Sequence, residues 1–487
     1  MPLDVAIIGA GFGGLGLAIR LKQAGHASFA VFEQAPDIGG TWRDNTYPGC
    51  ACDIPAALYC FSFATDGDWS RRYPTQPEIL AYLKDCVRRF GIAPHLRLGQ
   101  ELRGATFDPV RSLWRLTLTA AETVEARVLV VSVGPLHRPA IPAIQGLEQF
   151  AGPRFHSARW DHSVGLAGKH VAVIGTGASA IQFVPRIAAE AGHITLYQRT
   201  PSWVLPKRNP VSGPIVRSFL RHMAPLRLAI RAWTFWSHET AALGFNRLRW
   251  LTRAAERRAR SHAKRQLTDH TLRLAMTPDY LIGCKRVLLS NDFYPALGRQ
   301  NVEVVTTPIA RVTPHAIITA DGTARAADIV MFATGFQATE PSGLPEITGP
   351  DGRTLGQTWR DGMRARLGVA VAGFPNLFLL GGPNTGLGHN SVVFMLEAQI
   401  SHILRCLRLM TRRGAAAIEV RADAQDRCMN WIQRRMGRTV WLSGCRSWYL
   451  DQFGHNTALW PGFAVGYWAR TRLVTGYRLS YAVPHDV

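Results

Sequence analysis

Hydrophobic and polar positions along the 487 residues follow two rhythms. Short unbroken apolar runs, Leu3 to Ile8, His170 to Ile174 and Asp328 to Phe332, predict parallel strands buried on both faces. Ser28 to Phe32, Ile194 to Tyr197, Val302 to Thr306 and Asn376 to Leu380 have the same character. Ala105 to Phe107, Trp114 to Thr119 and Ala126 to Val133 alternate or run apolar as strands do. Between them, helical spacing predicts helices over Leu15 to Ala24, Pro77 to Arg89, Ala178 to Glu190 and Val392 to about Met410. Strands and helices in turn predict an α/β fold with parallel sheets.

Two of the strand-to-helix junctions carry glycine turns of one kind. Gly9-x-Gly11-x-x-Gly14 follows the first strand directly, and Gly175-x-Gly177-x-x-Ala180 follows the strand at His170. Strand, glycine turn and helix in that order is the context of a dinucleotide site. The first glycine permits the tight turn, the second lets backbone approach a pyrophosphate, and the third position lets helix and strand pack closely. Each helix N-terminus then offers unpaired N–H groups to phosphate. The chains after the two turns differ. Glu33 ends the strand following the first turn, where a carboxylate can bond both hydroxyls of an unphosphorylated ribose. Gln198-Arg199-Thr200 ends the corresponding strand of the second unit. A carboxylate there would repel a 2′-phosphate, whereas Arg199 and Thr200 accommodate one, so the second nucleotide is expected to be NADP.

Composition adds a basic region and excludes several classes. Formal net charge is +22, and half of it sits between Arg208 and Arg273, where 14 Lys/Arg face 3 Asp/Glu. This stretch predicts a helical insertion. Its charge is either a solvated helical face or a contact for anionic partners, such as a membrane surface along Arg247 to Arg265. The eight cysteines have no C-x-x-C spacing, fit neither zinc nor a disulfide scaffold, and are expected as reduced thiols. A cleaved leader would destroy the first glycine turn, so a cytoplasmic protein is expected. Ala224 to Phe245 is broken by Arg227, Arg231, His238 and Glu239, so no spanning helix is predicted.

The irregular stretch from Gly39 to Asp53 suits a wall against a flat ring system. Within it, Asp53 either caps a helix beginning near Ile54 or waits, partly buried, for a cation. Gly381 to Ser391 leads into the helix at Val392. The tail from Cys445 to Trp468 is rich in aromatics, which either pack in the interior or form a lid or an apolar substrate wall. Phe150 to Asp161, just before the second turn, reads as the linker between two nucleotide domains.

In that linker, Phe150-x-Gly152-x-x-x-His156-x-x-x-Trp160-Asp161 resembles the fingerprint of type I Baeyer–Villiger monooxygenases at every defined position. Gly40-x-Trp42 with Tyr47-Pro48-Gly49 and Asp53 resembles that family's second motif. Ala333-Thr334-Gly335-Phe336 is similar to the segment joining the NADP and FAD domains of related flavoproteins. N-hydroxylating relatives carry an aromatic and a basic residue where Trp160 and Asp161 stand, which favours ketone oxygenation over amine hydroxylation, with an N- or S-oxygenating enzyme as an alternative. A non-catalytic membrane-associated flavoprotein is the remaining alternative.

The resemblance implies two Rossmann-like domains with a helical insertion. Residues 1–140 and 341–487 would bind FAD, residues 141–207 and 284–340 NADP, and residues 208–283 would form the insertion. FAD would lie on Gly9, Gly11, Gly14 and Glu33, with Trp42 and Asp53 near its ring. NADPH would lie on Gly175, Gly177, Arg199 and Thr200, with Lys285 at the 2′-phosphate. Arg286 resembles the family's catalytic arginine, oriented by Asp53. Trp448 resembles a tail tryptophan that closes the substrate pocket, and His156 would couple domain movement to cofactor binding. The reaction implied inserts one oxygen atom of dioxygen beside a ketone carbonyl through a flavin peroxide, giving an ester or lactone. Sequence length after Trp448 and the short N-terminus depart from the family's best-known members.

Overall fold

A computed structural model describes residues 1–246, 249–339, 344–445 and 447–481. Arg247 of the expected basic run, and the boundary drawn between residues 340 and 341, lie outside the described residues.

The chain opens with β1 (Leu3–Ile8), α1 (Phe12–Gln23) and β2 (Phe29–Glu33). The first helix begins three residues earlier than its apolar spacing suggests, because the glycine turn feeds it directly from Gly11. After a four-residue turn of helix, α2 (Thr41–Asp44), comes α3 (Gln76–Arg89). Its start is fixed by a capping box in which Thr75 and Glu78 satisfy each other's backbone N–H groups. The strands β3 (Leu96–Leu98), β4 (Leu102–Asp108), β5 (Leu113–Leu118) and β6 (Thr123–Val131) follow.

The second unit starts at β7 (Arg154–His156) and continues through β8 (His170–Ile174), α4 (Ala180–Ile187), β9 (His193–Tyr197) and β10 (Val204–Leu205). The insertion is α5 (Pro214–His222), α6 (Ala224–Glu239), α7 (Ala241–Asn246), α8 (Arg249–Gln266) and α9 (His270–Ala275). The chain returns as β11 (Leu288–Leu289), which pairs with β10, then α10 (Phe293–Leu297) and β12 (Val302–Val305). A small antiparallel sheet, β13 (Ile309–Val312), β14 (Ala316–Thr319) and β15 (Ala324–Ala326), precedes β16 (Ile329–Phe332). Last come β17 (Glu346–Thr348), α11 (Leu355–Thr358), β18 (Leu377–Leu379), α12 (Val392–Arg413), β19 (Ala417–Val420), α13 (Ala422–Met436), α14 (Ala464–Thr471) and β20 (Tyr477–Ser480).

Two sheets organise these elements. The larger, eight-stranded one runs β17-β4-β5-β6-β1-β2-β3, with β18 also on β6. Its β1 lies parallel between β2 and β6, with Ile7 level with Val31 and Val130. The second has the order β12-β9-β8-β16-β7 and is parallel throughout. Both glycine turns therefore leave central strands, where helix N-termini gather beyond the carboxyl ends of the sheet. Helix α12 packs its buried face, including Val393, Met395, Ile400 and Ile403, beside α1 and α14.

Three local expectations change. No helix starts at Ile54, so Asp53 is not a helix cap. Cys284 and Cys445, expected as reduced thiols from the scattered cysteines, form a disulfide; they stand 161 residues apart, and sequence spacing carries no sign that folding brings them together. The tail aromatics divide: Tyr449, Trp460 and Tyr467 are fully buried in the interior, while Trp448, Phe463 and Trp468 stay partly exposed. Among the described residues, no helix is long and apolar enough to cross a membrane.

Candidate active site

In the first turn Gly9 and Gly14 stand where no side chain fits. A Cβ on Gly9, whose φ is +102°, would stand 2.6 Å from the Ser132 carbonyl oxygen, and one on Gly14 would overlap the Gly9 carbonyl oxygen. Gly11 instead faces Gly40, and a Cβ there would meet nothing closer than the Gly40 Cα at 3.9 Å. Two bare backbones thus pack against each other, and a Cβ on Gly40, at φ +53°, would press to 3.3 Å from the Gly11 Cα. At the end of β2 the Glu33 carboxylate is buried; it accepts from the Ala10 N–H at 2.8 Å, the Ala35 N–H at 3.1 Å and Arg43 Nη1 at 3.0 Å. Beside it a cavity of about 540 Å³ opens between Gln34 to Pro36, Arg43 and Asp44 on one side and Arg159 and Trp160 on the other.

The second turn repeats the crowding: a Cβ on Gly175, at φ +106°, would come 2.5 Å from the Ala333 carbonyl oxygen. Near it Arg199 is exposed and Thr200 half-buried, and Thr176 donates to the Thr200 carbonyl at 3.4 Å. Burial, and after it the neighbouring Arg199 charge, push the Lys285 ammonium below its usual range. Lys285 lies over the Tyr280 ring at 4.8 Å. Two cations near enough to act on each other's charge suit an anion.

Lys285 is followed by Arg286, which reaches the first unit. Its Nε and Nη2 donate to the two oxygens of Asp53, each at 2.8 Å, a bidentate pair between residues 233 positions apart. The Asp53 carboxylate, ahead of the opposing effect of burial, raises the Arg286 pKa further above its ordinary value. Arg286 therefore stays cationic at any pH where the protein folds. Both side chains remain partly open, 33% and 26% exposed, so the pair faces a space and is not sealed in the core.

Around the pair stand residues that sequence reasoning passed over. Lys207, from the segment after β10, extends its Nζ to the Cys52 carbonyl at 3.4 Å and lies over the Tyr73 ring at 5.2 Å. Burial lowers its pKa, while Asp53 is the leading influence that raises it. The buried Tyr449 lies close enough to Arg286 and Asp53 for both to act on its phenol; burial dominates and lifts it to about 12, so it stays protonated. Tyr59 accepts from Trp42 Nε1 at 3.1 Å and fixes that indole, which is itself buried. Only Tyr449 had a sequence signal, its place beside Trp448. Trp448 is 42% exposed and packs on Tyr449 with ring centres 4.6 Å apart.

The linker and the loop from Gly39 to Asp53 both converge on α4. Gln182 of that helix accepts from Tyr47 Oη and the Ala51 N–H, each at 3.1 Å, and donates to the Ala51 carbonyl at 3.0 Å. Gly49, at φ +82°, is obligatory because a Cβ would press to 2.8 Å from the Gln182 carbonyl. One residue on, Phe183 takes the Trp160 ring at 5.2 Å. Gly152 is required because a side chain would collide with the Asp328 carbonyl. Phe150 and His156 are buried, and β7 places Phe155 and His156 level with Met331 and Phe332 of β16. Burial drives the His156 pKa down to about 4, so the imidazole is neutral at physiological pH. Asp161 is exposed and accepts from the Ser163 backbone and hydroxyl at 2.9 and 2.5 Å. Most fingerprint residues thus act in packing, with none against the Arg286–Asp53 pair.

Residues 7–73 match the family model of an NAD(P)-binding Rossmann-like domain. The chain is 44% identical over 470 residues to a protein of Pseudomonas aeruginosa PAO1 named Baeyer-Villiger monooxygenase, covering 96% of this chain and 89% of that one. Among solved structures it is similar to cyclohexanone monooxygenase in its closed form (TM-score 0.90, 28% identity, 99% of each chain). It is also similar to OTEMO in complex with FAD and NADP (TM-score 0.89, 28% identity, 98% and 99% of the two chains).

Proposed function

The chain belongs to the Baeyer–Villiger monooxygenase family, and from that premise we propose which of its residues perform the reaction. It is an NADPH- and FAD-dependent monooxygenase that inserts one oxygen atom of dioxygen beside a ketone carbonyl, giving an ester or lactone. The observation that carries the assignment of residues is the bidentate Arg286–Asp53 pair, which spans the two nucleotide units with both side chains partly exposed.

Bound FAD, reduced by NADPH, supplies the activation of dioxygen. The chain's residues fit both cofactors. Gly11 and Gly40, packed side by side, would offer a pyrophosphate two stretches of backbone free of side chains. Glu33 would receive the ribose of FAD next to the cavity, exchanging its bond to Arg43 for ribose hydroxyls. Gly175 and Gly177 open the second turn in the same way, and Arg199, Thr200 and Lys285 would hold the 2′-phosphate. Trp42, fixed by Tyr59, would form a wall for the flavin ring.

Arg286 then acts by standing still. Its charge is fixed beside a partly open space, where it stabilises negative charge building on oxygen as the ketone carbon is attacked. Asp53 sets the plane of the guanidinium through its two hydrogen bonds. Lys207, held on the Cys52 carbonyl next to Asp53, adds a second positive charge near that carboxylate. Tyr449 remains a proton donor beside the pair, and Trp448 over it would close the substrate side. His156, Trp160 and Asp161 belong to the coupling between units and not to the chemistry.

We assign residues 1–140 and 341–487 to the FAD unit, 141–207 and 284–340 to the NADP unit, and 208–283 to the insertion. In support, β17 and β18 complete the first sheet, while β12 and β16 complete the second. The substrate is a small-molecule ketone. The test is product analysis with a panel of linear, cyclic, aryl and steroid ketones under isotopically labelled dioxygen. The expected product is an ester or lactone carrying one labelled atom per NADPH oxidised; oxidation of NADPH without labelled ester from any ketone would refute the reading.

A further inference from the structure

Helices α5 and α6 are built inside out. The side of α6 that meets the protein is mostly polar, Phe235 on Phe394 at 4.8 Å being its apolar contact. Arg231 donates to the Ala57 and Cys60 carbonyls at 2.7 and 3.2 Å and lies 3.7 Å from Glu397; Arg227 donates to Thr65 at 3.3 Å. His238 meets the His389 carbonyl at 3.0 Å. In α5 it is likewise Arg217 that turns inward, to Asp68 at 3.4 Å. The outward side is apolar: Ile215 is 85% exposed, Trp233 78% and Trp236 57%, with Phe219, Leu226 and Ile230 beside them. A helix of a water-soluble monomer presents the opposite arrangement, with its apolar stripe to the core. Scattered exposed apolar residues need no explanation, whereas a contiguous two-helix face does.

We propose that this face docks on an anionic lipid bilayer, with α5 and α6 lying in the plane of the headgroups. Charge decides between occupants. The stretch from Arg208 to Arg273 has three acids against fourteen Lys/Arg, and only Asp269 is exposed. Glu239 is buried and bonded to Asn390 and Val465, Glu256 accepts from the Ile282 N–H, and Asp269 caps α9. Helix α8, packed conventionally on Ala259 and His262, adds exposed Arg253, Arg257, Arg258 and Lys264. A second copy of a chain with net charge +22 would bring these cations against one another; anionic headgroups neutralise them. Tryptophan is the residue favoured at the headgroup boundary, and a buried apolar face with basic flanks is the pattern of in-plane membrane helices. The face also runs into a recess of about 320 Å³ lined by Leu228, Phe235, Trp236, Phe394 and Trp468, apolar but for Arg231, which has room for an acyl chain. The solvated basic face foreseen from sequence is thus α8, and the apolar contact belongs to α5 and α6.

The experiment is sedimentation of the FAD-loaded full chain with vesicles of phosphatidylcholine alone or with roughly one-third phosphatidylglycerol. Wild-type protein is expected to pellet with the anionic vesicles and to be released by salt. Phe219→Glu/Trp233→Glu should weaken that partitioning by about 100-fold, while NADPH oxidation with a water-soluble ketone stays unchanged and reports an intact fold. Trp233→Ser alone, a gentler change, should weaken it less in the same direction. Wild-type protein remaining in the supernatant at low salt, or variants pelleting like wild type, overturns the proposal. So does light scattering that finds a lipid-free dimer which the same substitutions dissociate.

Discussion

Arg199 and Lys285 come from different ends of the second unit, one closing β9 and the other following the insertion. Their closeness has one evident use, to share a dianion. Arg199→Glu replaces an attractive charge with a repulsive one at that point and leaves the glycine turn intact. KM for NADPH should rise by about 100-fold, while KM for NADH changes little, since a bidentate charge-assisted contact is lost only by the phosphorylated form. Steady-state kinetics with both nucleotides checks this; an equal rise for both would place Arg199 elsewhere than at the 2′-phosphate. Residue chemistry of this kind was legible in the sequence because strand ends in a nucleotide fold have fixed duties. Lys207 and Gln182 were not legible. Each matters through a partner more than 100 positions away, and neither lies in a pattern that periodicity or a glycine turn announces.

At the level of elements, the strands that carry the two glycine turns matched their apolar runs closely, β1 and β8 to the residue. Unbroken apolar runs are strong signals because a parallel strand buried on both faces has no polar positions to blur its ends. The insertion was harder. Its α6 has helical spacing, but sequence does not say which side faces the protein, and here the arginines turn inward. The linker element shows packing being turned into pH dependence. His156, on β7, has its pKa pushed from 6.5 down to about 4 by burial. Between those values the unfolded chain takes up a proton that the folded chain refuses. Stability is therefore highest above pH 6.5 and falls as pH drops toward 4, by at most roughly 3 kcal/mol from this residue. The buried His402, bonded to Thr471 and Tyr477 and also held near 4, adds a fall of the same sign. In urea titrations, His156→Gln should lose part of the dependence between pH 6.5 and 4 and His402 should retain the rest. An unaltered dependence in the variant would mean that His156 is not held neutral by its surroundings.

On the scale of the whole molecule, the Arg286–Asp53 pair is the place where two nucleotide units become one site. The Cys284–Cys445 disulfide anchors the segment that bears Lys285 and Arg286 to the tail that bears Trp448 and Tyr449, and Gln182 and Trp160 tie the linker and the flavin-side loop to one helix. This much bracing around a single cation suits a group that must hold its charge at one point and must not move during turnover. A cation with that duty is needed when oxygen reaches the ketone and is not needed when the nicotinamide hands over its electrons. Transient kinetics on Arg286→Ala separates the two halves directly, because flavin absorbance reports reduction and product extraction reports oxygenation. The variant should be reduced by NADPH at a rate close to wild type and yet form ester ~10²–10³ times more slowly; an undiminished ester yield would contradict the account.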